Sequence, residues 1–389
     1  MMILGWTLLL FPPFLFLLAY AAYPLILALM ARLRRRPAIP TSDPAEWPEL
    51  TVVLPVFNEE RALPGALDAL LQSEYPEERL HILVVSDASS DRTDAVVKDY
   101  PPRRVQLIRL SERRGKTAAE SAALPSCRGS LVVTTDATTR ILPRSLKVLV
   151  RAFQDPAIGL ASGRDLSVAH GVDSGSTQSE SGYVGYEMWV RSLETRCGSI
   201  IGASGCFYAI RRELFDPRFP PGLSRDFGSA LLTAEQGYRA VSVNDATCLV
   251  PRSSSLRGEY RRKIRTMARG LGTLWYKRRL LAFRPDPWFS VALIGHKLLR
   301  WLGFLVAPLS LIGLALLASE YRIARWLFGL ASLGILLGLV ALLWSSDRKL
   351  ARPWALLGFT VGSFLAGFVA WLQVFRGVQS PVWEPTRRH

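Results

Sequence analysis

The chain has 389 residues, of which 49% are hydrophobic and 21% are charged, and its formal net charge is +16. This composition excludes an intrinsically disordered chain and a small disulfide-stabilised scaffold. It also excludes a purely soluble protein, because residues 1–31 contain no Asp, Glu, Lys or Arg, and about 20 apolar helical residues suffice to cross a bilayer.

The first segment, residues 1–36, is predicted to be a retained N-terminal membrane anchor. It has no basic residue before its apolar core, unlike a cleaved signal peptide. Arg32 and Arg34 to Arg36 follow that core. Since basic residues favour the cytoplasmic side, we expect the N-terminus outside and the domain that follows in the cytosol.

Residues 37–251 are predicted to form an α/β domain. In its first half, short β-branched runs alternate with helical stretches, which is typical of a parallel sheet, and the second half is less regular. The expected strands cover residues 51–57, 80–86, 105–110, 131–135 and 239–243, and the expected helices cover 59–72, 91–99, 115–124, 143–153, 183–195 and 226–236.

Two further regions are predicted to associate with the membrane. Residues 252–290 carry many arginines with apolar residues at helical spacing, which favours an amphipathic helix in the interface. Residues 291–389 contain three uncharged runs, residues 301–319, 326–346 and 353–375, which we expect to span the bilayer. The loop that includes Arg348, Lys349 and Arg352 would then lie inside, and Arg376, Arg387 and Arg388 would lie outside.

The distribution of charge argues against nucleic-acid binding. Residues 37–251 hold 23 basic and 27 acidic residues, so the globular body is slightly acidic and the excess of positive charge lies beside the membrane segments. The four cysteines, Cys127, Cys197, Cys206 and Cys248, form no CxxC pair, which argues against a zinc site or a disulfide framework.

Polar motifs follow three of the early strands: PVFNEE (55–60), SDASSDRT (86–93) and TTDATT (134–139). The carboxyl ends of parallel strands face one crevice, so we expect Asp87 and Asp136 to approach the same ligand. Helix capping is the alternative for Asp87, and the better interpretation of Asp91 and Asp94. The Arg114-Gly115-Lys116-Thr117 run lacks the first glycine of a P-loop, because Leu110 stands at that position.

In order along the chain, these motifs resemble those of membrane-integrated family 2 glycosyltransferases, the group that includes cellulose, chitin and hyaluronan synthases. The resemblance covers about residues 50–270. It rests on PVFNEE, Asp87, Arg114-Gly115-Lys116, Asp136 after LVVTT, GASGCFYAIRREL (202–214), Asp226-Phe227 and EQGYR (235–239).

The resemblance implies a GT-A fold, a Rossmann-like α/β domain that binds a nucleotide-diphosphate sugar and inverts its anomeric centre. Pro55, Phe57, Glu59 and Asp87 stand where the family holds the nucleoside, and Lys116 stands in the stretch beside it. Asp136 matches the first position of the DxD motif, which implies a Mg²⁺ or Mn²⁺ ion on the diphosphate. Thr138 replaces the second carboxylate.

The acceptor side is implied in the same way. Gly202 to Gly205 resemble the loop beside the acceptor, and Tyr183, Tyr186 and Trp189 are candidates to stack on sugar rings or, alternatively, core residues. The QxxRW motif of processive enzymes is not present as such. Its nearest match includes Arg262 and Arg265, which would pair with the diphosphate, and lacks the tryptophan.

Asp226 matches the aspartate of the family's ED motif, with Arg225 at the usual acidic position. The resemblance makes Asp226 the catalytic base, and a neighbouring arginine would hold its pKa down. The alternative is that Asp226 caps the helix 226–236.

The resulting hypothesis is an inverting glycosyltransferase that acts on a glycan or a lipid-linked acceptor at the membrane, with polysaccharide synthesis as one outcome. Its location would be the bacterial inner membrane, with the catalytic domain in the cytoplasm and with export or accessory subunits as further partners. Two alternatives stay open: a single-transfer enzyme with a lipid acceptor, and a nucleotide-sugar-binding pseudoenzyme subunit.

Overall fold

A computed structural model describes residues 1–34, 37–168, 175–251, 256–283, 286–344 and 351–377. One mixed sheet with the strand order β3-β2-β1-β4-β7-β6-β8-β5 forms the centre of the domain. Its strands are β1 (Leu50–Val56), β2 (Leu80–Ser86), β3 (Val105–Arg109), β4 (Leu131–Thr135), β5 (Arg140–Ile141), β6 (Ile158–Val168), β7 (Phe207–Arg211) and β8 (Arg239–Pro251).

The first half of the sheet is parallel, as the sequence predicts. β1 pairs in parallel with both β2 and β4, and β2 pairs in parallel with β3. Every residue of β1 is buried, because helices cover both faces of a parallel sheet. The carboxyl ends of β1, β2 and β4 therefore meet at one edge, where the polar motifs begin.

The second half of the sheet, for which the sequence predicts a less regular arrangement, is mixed: β6 and β8 are parallel, and β5 and β8 are antiparallel. β7 lies between β4 and β6 and is antiparallel to both. Sequence reasoning assigned no strand to residues 207–211, because a glycine-rich turn precedes them. Strand β8 is also longer than expected, since it continues past residue 243 to pair with β5.

The helices of the domain follow the predicted positions with shifted ends. They are α3 (Leu63–Leu71), α4 (Thr93–Lys98), α5 (Lys116–Ala123), α6 (Ser145–Arg151), α7 (Gly175–Cys197) and α8 (Arg225–Glu235). Helix α7 begins before the expected residue 183 and packs against the N-terminal helices.

The remaining helices are apolar or amphipathic. They are α1 (Met2–Leu17), α2 (Tyr23–Leu33), α9 (Leu256–Tyr276), α10 (Pro287–Leu293), α11 (Leu299–Val306), α12 (Pro308–Leu317), α13 (Arg322–Leu343) and α14 (Arg352–Phe375). Single π-helical turns, residues 18–22 and 294–298, join α1 to α2 and α10 to α11.

Four helical stretches among the described residues are long and apolar enough to cross a membrane: Met2–Leu33, Pro287–Val306, Arg322–Leu343 and Pro353–Phe375. The second begins well before residue 301, where the predicted span starts. His296, Lys297 and Arg300 interrupt the apolar run in the sequence, but they lie within one continuous helical stretch. Residues 345–350, with Arg348 and Lys349, and residues 378–389, with Arg387 and Arg388, lie outside the described part. The expectation that Arg376 lies on the side opposite to the domain is wrong, because its neighbours Gln373, Val374 and Gly377 line a cavity together with Leu223 and Arg269.

A buried polar cluster joins this second stretch to the α/β domain. His296 Nδ1 lies 2.5 Å from Glu194 Oε1, and His296 Nε2 lies 2.6 Å from Glu187 Oε1. Tyr23 donates to Glu194 at 2.6 Å, and Arg300 donates to Glu187 at 2.8 Å. Both carboxylates belong to α7, so charge complementarity explains why these polar groups tolerate burial.

Helix α9 packs along α14. Lys263 Nζ lies 2.5 Å from Ser363 Oγ and 3.7 Å from the centre of the Phe359 ring. Burial lowers the pKa of Lys263 to about 8. The opposite face of α9 turns Arg262, Arg265 and Arg269 toward the α/β domain, so this helix has an apolar face and a basic face, as its sequence pattern predicts.

Candidate active site

Half of the predicted site residues line one cavity of about 290 Å³ at the carboxyl edge of the sheet. Among the described residues, those predicted from the sequence that line it are Glu59, Lys116, Asp136, Gly205, Asp226, Arg262 and Arg265. They come from the segments after β1 and β4, from α5, from the loop before β7, and from α8 and α9. The cavity therefore lies between the domain and the basic face of α9.

Asp87 contributes to this region by organising the turn before α5. Its carboxylate accepts hydrogen bonds from the backbone N–H of Arg114 at 2.7 Å and of Gly115 at 2.8 Å. Gly115 has φ of +89°, a backbone conformation that glycine adopts without strain. Asp87 thus fixes the turn that places Lys116 in the cavity. It does not cap α4, the helix that follows β2, whose N-cap is Arg92.

Phe57 follows β1, and the guanidinium group of Arg113 lies over its ring. The guanidinium of Arg113 lies 3.7 Å from the centre of that ring. Pro55 lies within β1, buried and paired with Val85 of β2. Of the four predicted nucleoside residues, only Glu59 reaches the described cavity lining itself.

Lys116 and Asp136 form the central charge pair of the cavity. Lys116 Nζ lies 2.5 Å from Asp136 Oδ1 and donates to the carbonyl of Gly205 at 2.9 Å. Burial lowers the pKa of Lys116, but Asp136 and Glu120 raise it more, so its net shift is upward and the ammonium stays charged. The site therefore presents a fixed cation to an incoming anion.

Asp226 lies on the first turn of α8, which begins at Arg225 with Ser224 as its N-cap. The expected helix 226–236 is therefore shifted by one residue, and Asp226 does not occupy the capping position. Its Oδ1 accepts from the hydroxyl of Ser224 at 2.6 Å. A side chain at Gly205 would begin 3.1 Å from Asp226 Oδ2, so glycine there leaves this carboxylate accessible to the cavity.

Arg225 does not act on Asp226 in the way expected from the sequence. Its side chain turns into the protein, where Nε lies 3.3 Å from Glu120 Oε2 and Nη1 donates to the carbonyl of Asp216 at 2.8 Å. The buried Glu120 is a cavity residue that sequence reasoning missed, since it lies inside a helix with no motif around it. Burial raises the pKa of Glu120, against the opposing effects of Lys116 and Arg225.

Helix α9 supplies the other cations. Arg262, Arg265 and Arg269 line the cavity, and Arg262 Nε donates to both oxygens of Glu259, at 2.9 and 3.0 Å. Arg269 Nη2 donates to the carbonyl of Leu223 at 2.7 Å. The basic stretch predicted for the membrane interface thus also closes the candidate active site.

Asp165 is a second carboxylate that the sequence did not reveal. It lies on β6, lines the cavity, and accepts from the hydroxyl of Ser204 at 2.5 Å. Burial raises its pKa, while the hydrogen bond from Ser204 opposes that effect. Asp165 pairs with Cys248 of the parallel neighbour β8, and this long-range pairing, which holds it at the cavity, has no local signal in the sequence.

The predicted acceptor residues are divided between two places. Gly205 lines the cavity, whereas a side chain at Gly202 would point toward Phe227 and Lys297. The hydroxyl of Tyr186 donates to the carbonyl of Tyr20 at 2.9 Å, in the interface between α7 and the N-terminal helices. Trp189 is 47% exposed and lies outside the described cavity lining. The Tyr183 side chain lies outside the described part of the structure.

The residues of the cavity fit a divalent cation that takes some of its oxygen ligands from the protein and the others from a bound diphosphate. Within the described ranges, no group of three or more His, Cys, Asp or Glu side chains could hold a metal alone. Mg²⁺ is usually held by one or two carboxylates together with phosphate oxygens and water. Asp136 supplies one such carboxylate at the cavity wall, with the Thr138 hydroxyl also in the lining.

Comparison with known proteins identifies the nature of this domain. Residues 51–219 match the model of the family described as glycosyl transferase family 2. An N-acetylglucosaminyltransferase of Rhizobium sp. (strain N33) is 29% identical over 291 residues, which make up 68% of this chain and 61% of that protein. The chain thus spans less than two thirds of this relative's length.

Two further similarities concern shorter or more distant matches. A dodecaprenyl-phosphate galacturonate synthase of Rhizobium johnstonii is 29% identical over 128 residues, 32% of this chain and 38% of that protein. A mannosyltransferase of Pyrobaculum calidifontis, solved in complex with GDP-Man and Mn²⁺, superimposes with a TM-score of 0.71 at 24% identity. The match covers 95% of this chain and 99% of that one.

Proposed function

Since the chain carries a family 2 glycosyltransferase domain with a GT-A fold, we propose that it transfers a sugar from a nucleotide-diphosphate sugar to an acceptor held at the membrane. The observation that carries this proposal is the single cavity in which Lys116, Asp136, Asp226 and Arg265 meet. It combines cations for a diphosphate with a carboxylate for an acceptor hydroxyl.

The donor would bind with its diphosphate among the cations of the cavity. Lys116 is held by Asp136 and by the carbonyl of Gly205, so its ammonium is positioned before the donor arrives. Arg262 and Arg265 line the same cavity from α9. Departure of a nucleoside diphosphate develops negative charge, and cations already in place stabilise it without reorganisation.

A Mg²⁺ or Mn²⁺ ion bound by Asp136 would add Lewis-acid stabilisation of the leaving diphosphate. The Mn²⁺ in the Pyrobaculum mannosyltransferase supports metal use, although Thr138 leaves Asp136 as the charged ligand of its motif. We propose that Asp87, through its hold on Gly115, orients this side of the site together with Phe57 and Glu59.

Asp226 would act as the base on the acceptor side. An acceptor hydroxyl attacks the anomeric carbon, the bond from that carbon to the diphosphate breaks, and the proton passes to Asp226. The hydrogen bond from Ser224 orients the carboxylate while Oδ2 faces Gly205. One direct displacement of this kind inverts the anomeric centre, and it requires no covalent intermediate.

We propose that the domain works at the cytoplasmic face of a bacterial inner membrane. The N-terminal candidate span and the basic residues that follow it support this orientation. The acceptor decides whether the product is a polymer, made with export partners, or an acceptor that carries one added sugar. A ladder of product lengths would indicate a polymer.

A nucleotide-sugar-binding pseudoenzyme is the second candidate, and Thr138 in the metal motif favours it. Incubating the purified full-length protein with UDP-GlcNAc, UDP-glucose and GDP-mannose, each with Mg²⁺ or Mn²⁺ and with native membrane lipids, tests both. We expect release of nucleoside diphosphate from at least one donor. Donor binding with no release from any donor in the panel would support the pseudoenzyme and contradict the transferase.

A further inference from the structure

A second cavity, of about 320 Å³, adjoins the first between α9 and the C-terminal end of α14. Arg265 and Arg269 line both cavities. The second cavity therefore leads from the membrane-facing helices to the candidate active site.

The second cavity combines positive charge with an apolar wall. Arg261, Arg265 and Arg269 stand on successive turns of one face of α9, and Ile264 and Val374 are among its apolar residues. No acidic residue of the described part of the chain lines it, whereas the first cavity contains Asp136, Asp165 and Asp226. An anion attached to an apolar chain is the ligand that matches this lining.

Arg269 is fixed in place before any ligand binds. Its Nη2 donates to Leu223 O at 2.7 Å, to Pro221 O at 3.0 Å and to Thr117 Oγ1 at 3.0 Å. Its Nε is buried and has no hydrogen-bond partner among the residues that the structure describes. A buried donor without a partner is costly, and an anionic oxygen would satisfy it.

We propose that the second cavity holds the phosphate group of a lipid-linked sugar, which is the acceptor. This inference rests on the proposed function and names its acceptor class. The lipid would lie along α9 and α14, its phosphate would bind Arg261, Arg265 and Arg269, and its sugar would reach the first cavity. A hydroxyl of that sugar then attacks the anomeric carbon of the donor sugar. The nucleoside diphosphate leaves with the bonding electrons, and Asp226 takes the proton of the hydroxyl.

The arginines that would bind the lipid phosphate and the carboxylate of Asp226 lie in different cavities. This separation favours an acceptor that carries a sugar on the lipid phosphate over a lipid phosphate alone. A phosphate oxygen is already deprotonated at neutral pH and needs no base when it attacks. Asp226, however, lies in the first cavity, where a hydroxyl would need one. The site for the lipid phosphate and the site for proton removal are therefore distinct.

Equilibrium binding of radiolabelled farnesyl diphosphate and farnesol to the full-length protein in detergent tests the lipid site. We expect farnesol to bind at least tenfold more weakly, and Arg261→Gln to weaken farnesyl diphosphate binding at least tenfold. Arg261→Lys should bind nearly as the wild type does, and Arg278→Gln, an exposed arginine outside both cavities, should not differ from it. Saturating UDP or GDP should not displace the lipid. Equal binding of the two lipids, an unchanged Arg261→Gln, or displacement by either nucleotide would overturn the proposal.

Transfer assays test the acceptor itself. We expect label from a donor that the enzyme turns over to appear on farnesyl-diphosphate-linked N-acetylglucosamine and not on farnesyl phosphate. Transfer to farnesyl phosphate, unaffected by Asp226→Asn, would contradict the lipid-linked sugar. If the protein binds the charged lipid but turns over no donor, the lipid site is supported and the proposed transferase function is contradicted.

Discussion

Lys116 Nζ lies 2.5 Å from Asp136 Oδ1, at the centre of the cavity where donor diphosphate and metal are proposed to bind. The pair keeps both charges in place without ligand. It also means that a metal ion on Asp136 must share that carboxylate with the lysine or displace it.

This arrangement predicts the effect of removing the carboxylate. Asp136→Asn keeps the size of the side chain but loses its charge, so donor turnover should fall by at least about 10²-fold, the scale of losing one electrostatic stabiliser. The Mg²⁺ or Mn²⁺ concentration for half-maximal activity should rise, and excess chelator should abolish wild-type turnover. Full turnover in chelator would contradict the metal role of Asp136.

Arg265 should act on the donor through its charge. Arg265→Ala removes a cation from the cavity, so the dissociation constant for nucleoside diphosphate should rise about tenfold, on the order of 1.4 kcal/mol. Arg278→Ala is the matched control, because Arg278 is exposed beyond the end of α9. Equal nucleotide affinity in the two variants would remove Arg265 from the donor site. Lys277 is unsuited as a control, since it pairs with Glu235 at 2.5 Å.

The polar cluster around His296 should contribute to stability. His296 contacts Glu194 through Nδ1 and Glu187 through Nε2, and the single amide of His296→Gln would not reproduce both contacts. Leaving a buried polar partner unsatisfied costs about 1–3 kcal/mol, and more for a charged group. Thermal unfolding in detergent should show a clear decrease, whereas His81→Gln, which removes a partly exposed pair with Glu49, should cost about 1 kcal/mol or less. Similar unfolding temperatures for both variants would show that the cluster is not stabilising.

The predicted topology can be tested at two exposed serines. Ser42 precedes β1 and Ser319 lies between α12 and α13, so they should face opposite sides of the membrane. In intact cells, an impermeant thiol reagent should label Ser319→Cys, and it should label Ser42→Cys only after permeabilisation. Labelling of Ser42→Cys from outside would reverse the orientation.

The sequence predicts those features that local patterns specify. The parallel strands that end near Asp87 and Asp136 follow from short β-branched runs, and Gly115 is explained by the turn that Asp87 holds. Features that depend on long-range pairing could not be read in this way. Strand β7 needs β4 and β6 as partners, and the segment of β6 that carries Asp165 pairs with β8, about 80 residues further along the chain.

Charged residues were the other source of error. Arg225 was expected to act on its neighbour Asp226, yet it packs toward Glu120, because a side chain on a first helical turn can point into the protein as readily as toward the next residue. Similarly, His296, Lys297 and Arg300 concealed the start of a helical stretch at Pro287, since their partners lie about a hundred residues away in sequence.

The most direct test of the account is turnover by Asp226→Asn, with donor binding measured on the same preparation. Asn keeps the shape of the side chain but cannot accept the proton, and general-base assistance is typically worth about 10² to 10⁴ in rate. Asp216→Asn, outside the cavity, is the matched control. We predict that Asp226→Asn loses turnover on that scale with unchanged donor affinity, while the control retains activity. Near-wild-type turnover by a folded Asp226→Asn protein would contradict the assignment of Asp226 as the base.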